Sequence, residues 1–129
     1  MVTGRELAEA IATQLSGIAN CRVYAFNPDT FQPPGIVVGQ PSLSWNTPDR
    51  TFGQIQWTFT IVVAVARPND KTPHDELDRL LLAIADVLGE DPSIGGIASY
   101  SQLIDASPAP VVTGGVDLPG YIATLEVIA

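Results

Sequence analysis

Apolar positions along the chain follow two spacings, and the switches between them mark its elements. Leu7, Ala8, Ile11, Leu15 and Ile18 recur at helical intervals, with Arg5, Glu6, Glu9, Thr13 and Gln14 elsewhere around the axis. Ahead of them, Thr3-Gly4-Arg5-Glu6 has the form of a capping box, in which hydroxyl and carboxylate each accept a backbone N–H of the first turn. The spacing predicts a helix from about residue 4 to 16, closed near Gly17. Cys21–Phe26 reads as a short strand, followed by turn chemistry at Asn27-Pro28-Asp29 and a stiff loop at Gln32-Pro33-Pro34-Gly35. Ile36–Val38 is a second strand. Gly39 and Pro41 interrupt it, favouring an edge or a bend over a central position, and Leu43–Trp45 resumes it.

The longest apolar run without Gly or Pro is Gln54–Arg67, and its period is two. Ile55, Trp57, Phe59, Ile61, Val63 and Val65 share one face; Gln54, Gln56, Thr58, Thr60, Val62, Ala64 and Ala66 lie on the other. That pattern predicts a central strand. Its second face turns from polar to small and apolar at Val62, so the early half should meet water or a partner and the late half should be covered on both sides. Fully extended, the run would span roughly 40 Å, so its first half is expected to project beyond the domain body. With the polar turn Asn46–Gly53 it forms a hairpin arm with its tip near residues 46–51. Trp45, Arg50 and Phe52 sit at or beside that tip. The two aromatics either cover the end of the core or belong to a partner surface, where Trp and Arg are enriched.

Thr72-Pro73-His74-Asp75 opens a second helix, with Thr as cap, Pro in the first turn and acids at its positive end. Leu77, Leu80, Leu81, Ile84, Val87 and Leu88 form its stripe, and Gly89 ends it. A loop follows through Ile97. Tyr100–Ala106 reads as an edge strand broken by Pro108 and Pro110, Val111–Gly120 as flexible turn material, and Tyr121–Ile128 as the closing strand. The order is helix, three strands, helix, two strands. This predicts a single α+β domain, a largely antiparallel sheet, both helices on one face, and a protruding hairpin.

Charge narrows the function. Lys and Arg number 6 against 14 Asp and Glu, a formal net charge of −8, which gives no electrostatic reason to grip nucleic acid. An acidic wall would instead let a polyanion slide past. No apolar run is long enough for a membrane span, and Met1–Glu6 lacks the pattern of a signal peptide. The single cysteine, Cys21, excludes an intramolecular disulfide.

Chemistry-bearing motifs are sparse. His74 is the only histidine, in a helix's first turn, and Cys21 reads as a small core residue. A pocket near Cys21, Tyr24 and His74 would be the basis of a small-molecule-binding or enzymatic reading. Asp75, Glu76 and Asp78 are explained by helix-start acidity without a metal, and Gly95-Gly96 and Gly114-Gly115 read as turns rather than phosphate cradles. No catalytic residue, cofactor or metal is expected.

Taken in order, several segments resemble the tail terminator proteins of long-tailed bacteriophages. They are the amphipathic helix Glu6–Leu15, Val23-Tyr24-Ala25-Phe26, Pro34-Gly35-Ile36-Val37-Val38, Trp57–Val63, the Leu-rich helix Leu77–Leu88, Asp91–Ile97 and Tyr121–Val127. The resemblance implies a homo-oligomeric, hexameric ring at the head-proximal end of the virion tail, assembled in the host cytoplasm. That ring would stop growth of the tail tube protein and dock the head-completion or neck protein, with DNA passing through its lumen unbound. A head–tail connector of the neck is the neighbouring reading. Either makes Trp45, Arg50, Phe52, Gln56, Thr58 and Thr60 the candidate interface, with the hairpin at about 41–58 and the final strand as contact elements.

Overall fold

The structure, a computed structural model, describes residues 3–18, 20–26, 31–45, 55–65, 73–113 and 115–129. Helix α1 spans Gly4–Leu15, and its start follows the capping-box chemistry: the Thr3 hydroxyl accepts the Glu6 N–H while the Glu6 carboxylate accepts the Thr3 N–H. Strands β1 (Arg22–Ala25), β2 (Gly35–Val38), β3 (Ser42–Ser44) and β4 (Gln56–Ala64) follow. Then come α2 (Pro73–Glu90), β5 (Tyr100–Pro108), β6 (Val111–Thr113), β7 (Val116–Leu118) and β8 (Gly120–Ile128).

The main sheet runs β1-β2-β4-β8-β5, with β3 also paired to β4. Every pairing in it is antiparallel except β1 with β2. Odd-numbered side chains of β4, with Ile36, Val38, Ala123, Leu125 and Val127, form one core with Leu7, Ile11 and Leu15 of α1 and Leu77, Leu80, Ile84 and Leu88 of α2. Both helices therefore cover one face, and the chain is an α+β domain as its pattern predicts.

Several elements differ from the expectation. The long strand is shorter: β4 ends at Ala64, and its first half is embedded rather than projecting, because Trp57 is buried and β8 pairs along the whole strand. Strand β2 is internal, between β1 and β4, and its proline makes a bend instead. Val38 pairs with Ile61 and Ser42 with Thr58, so three residues on one side, 39–41, oppose two on the other, 59–60; the extra residue makes a bulge. Gly39 fits there because a Cβ would lie 3.1 Å from the Thr60 carbonyl oxygen. Helix α2 runs through Gly89 to Glu90.

Val111–Thr113 and Val116–Leu118 pair as the two strands of a hairpin, where the sequence reads as turn material. Val111↔Leu118 and Thr113↔Val116 pair around a two-residue connection in which Gly115 takes φ +77°. The final strand β8 is internal, with β4 on one side and β5 on the other, so both its backbone edges are used.

Candidate self-association surface

Alternation along the sheet gives it a second face on which, among the described residues, no helix packs. Gln56, Thr58, Thr60, Val62 and Ala64 of β4 lie there, level with Ile128, Glu126, Thr124, Ile122 and Gly120 of β8. Tyr24 and Val37 share this face across β1 and β2, as their neighbours Val23, Ala25, Ile36 and Val38 point into the core. The Phe31 ring packs over Gly35, where a Cβ would come within 2.8 Å of it, and stands 5.8 Å from the Tyr24 ring. At this end the face is covered: Val37 and Ala64 are buried. At the other end it is polar and open, with Thr60 exposed and Gln56, Thr58, Thr124 and Glu126 half-buried. The change from polar to apolar along β4 that the sequence carries is thus real in space.

Of the six interface candidates, the structure brings Gln56, Thr58 and Thr60 together on this bare face. Trp45 follows β3 and is 57% exposed, so it does not cover the end of the core. Arg50, Phe52 and the hairpin tip lie outside the described residues. The base of the hairpin is present, as β3 paired with Gln56–Thr58, and all three β3 residues are exposed.

The sheet's two margins differ. One is stepped: β1 borders β2, and below the bulge β3 has β4 as its only strand neighbour among the described residues. The other is β5, a nine-residue edge strand. Between Leu103 and Asp105 its register with β8 slips by one residue, placing a bulge at Ile104. Sequence reasoning named β5 as an edge but did not single out Tyr100, Ser101 or Ile104; Tyr100 and Ile104 are large exposed apolar side chains, and Ser101 is buried.

Chemistry at the remaining candidates is limited. Cys21 packs against the core while Tyr24 points to the opposite face, so these two do not share a pocket; the side chain of His74 lies outside the described residues. Burial pushes the Cys21 thiol above its ordinary range, the nearby Arg79 guanidinium opposes this, and Glu76 adds to it. The Cys21 thiol is therefore protonated at neutral pH and a weak nucleophile. Glu76 and Arg79 form an ion pair one turn apart. Among the described residues no three His, Cys, Asp or Glu side chains are grouped to hold a metal, and no helix is long and apolar enough to cross a membrane.

In the connection after α2, Asp91 organises the turn. Its carboxylate accepts from the Ser93 hydroxyl at 2.5 Å, the Gly95 N–H at 2.9 Å and the Ser93 N–H at 3.2 Å. The Ser93 hydroxyl and the Gly95 and Ser93 amides hold the Asp91 carboxyl below the usual carboxylate range. Gly95 and Gly96 both take positive φ, as a turn requires.

In comparison with known proteins, the chain matches no family model and no curated protein to a significant degree.

Proposed function

We propose that the chain is a structural ring-former of a phage virion, the tail terminator, which caps the tail tube, ends its polymerisation and presents a docking surface to the head. The observation that carries this reading is the one-sided sheet: two helices seal one face, while the other keeps an open polar end at Gln56, Thr58, Thr60 and Thr124. A sheet with free margins and a bare face meets other chains unless it is blocked. A closed ring of identical subunits uses both margins without leaving any free. Six copies would carry 6 × −8 = −48 in formal charge, which suits a lumen that conducts DNA without binding it.

A neck connector would use the same surfaces with a portal-side partner. Negative-stain electron microscopy and native mass spectrometry of the purified protein, alone and with tail tube protein, test the reading. Rings that bind the tube protein are expected. A strict monomer at every concentration, also with tube protein present, would refute it. Rings that bind only portal-side proteins would reassign the chain to the neck.

A further inference from the structure

We infer that copies of this chain join edge to edge, the Tyr100–Leu103 half of β5 in one copy pairing with β3 of the next, and that Leu43 of the incoming strand fills a cavity beneath β5. The inference rests on the ring reading and says which margins close the ring.

The directions agree. Strands β3 and β8 both run antiparallel to β4, and β5 runs antiparallel to β8, so β3 and β5 point in opposite directions. Setting the stepped margin of one copy beside the β5 margin of another, helices on the same side, makes the new pair antiparallel. The heights agree as well. Leu43 pairs with Trp57, Trp57 with Val127, and Val127 with Ser101, so Leu43 and Ser101 lie level on opposite margins of one sheet and face the helix side. A neighbour docked without stagger brings its Leu43 next to Ser101.

Natural edges are protected by charge, proline or bulges. In β5 those devices all follow Leu103: the bulge at Ile104, then Asp105 and Pro108. Tyr100–Leu103 has none, and neither does Ser42–Ser44. In a chain of net charge −8, these are stretches where two copies can meet without opposing carboxylates. The bulge at Ile104 breaks the register of β5 just before the level at which β1 of the neighbour would stand one strand proud of β3.

The receiving side carries an unfinished site. A cavity of about 220 Å³ lies between β5 and the end of α2, lined by Ala85, Leu88, Ser101, Leu103 and Leu125 among others. Ser101 is only 5% exposed, and its hydroxyl has no hydrogen-bond partner. On the donor side, Leu43 and Trp45 are 39% and 57% exposed. Extended strands that add to a sheet edge take their specificity from alternate side chains entering such pockets.

Two complementary variants test this. Ala85→Arg fills the cavity from an exposed helix position; Leu43→Ser combined with Trp45→Ser removes the incoming side chains. Circular dichroism checks that both fold, and native mass spectrometry and sedimentation read assembly. Each variant alone should stay monomeric where wild type assembles, with association weakened at least tenfold. Mixed in equal amounts they should form a 1:1 heterodimer and nothing larger, since each retains one working margin. Wild-type rings with unaffected variants, or a mixture that never dimerises, would overturn this pairing and leave the ring reading intact. A wild type that is monomeric throughout would remove both.

Discussion

Ile94 offers a test in which backbone and packing pull in opposite directions. It is buried at 1% exposure in the core, yet its φ is +51°, a region where a β-branched residue is an outlier. The left-handed conformation costs a non-glycine residue about 1–2 kcal/mol. Deleting a buried isoleucine side chain costs about 2–5 kcal/mol. The cavity outweighs the relief, so Ile94→Gly should lose about 2 kcal/mol. Ile94→Ala loses nearly the same packing but keeps the strain. It should be less stable than the glycine variant by about 1 kcal/mol, inverting the usual order of these two residues. Urea unfolding followed by the fluorescence of buried Trp57 measures both. With a slope of about 1.5 kcal/mol/M, the glycine variant's midpoint falls by about 1.3 M and the alanine variant's further. An alanine variant more stable than the glycine variant would show that φ at this position carries no strain and would refute the reasoning.

Other expectations follow from single contacts. Thr3→Ala removes the acceptor for the Glu6 N–H and should cost about 1 kcal/mol in thermal or urea unfolding. Phe59→Ala empties the centre of the core, where Phe59 is fully buried, and should cost about 3–5 kcal/mol. Asp91→Asn should be less stable than wild type at neutral pH. Because the folded carboxyl titrates below its ordinary 3.8, its contribution is present above that value and is lost as pH falls through the folded value. The stability difference should vanish in acid, and a gap that persists at low pH would mean the turn does not depend on the ionised carboxylate. Cys21 should react slowly with a disulfide-exchange reagent at pH 7 and faster only well into the alkaline range.

The elements most legible in the sequence are those whose burial follows a single local period. Helix α1 announces itself through Thr3 and Glu6, and the core stripe Leu77, Leu80, Ile84 and Leu88 is readable residue by residue. The two faces of β4 are equally plain. What local pattern does not encode is which strand lies beside which. Pro41 was compatible with an edge or a bend, and only the pairing of β2 and β3 with the same strand decides for the bend. The internal position of β8 depends on β5 crossing to its far side, which no spacing records. The β6–β7 hairpin is readable in principle, since Val111-Val112-Thr113 and Val116-Asp117-Leu118 flank a two-residue glycine link, but paired glycines mark loose turn as readily as a hairpin. For the site, Gln56, Thr58 and Thr60 follow from alternation alone. Ser101 could not: its burial and its lack of a partner come from α2 and β8 closing around it.

The side-chain amide of Gln14 donates to the Val87 carbonyl at 3.0 Å and the Asp91 carbonyl at 3.2 Å, across more than seventy residues of sequence. The carbonyls where α2 gives way to the following turn are thus satisfied in part by the first helix, not by their own segment. Completion of α2 at that end waits on the arrival of α1, which ties the earliest and the middle parts of the chain into one cooperative unit. Amide exchange at the close of α2 should accordingly keep pace with exchange in α1, and loosening either helix should unfasten the other.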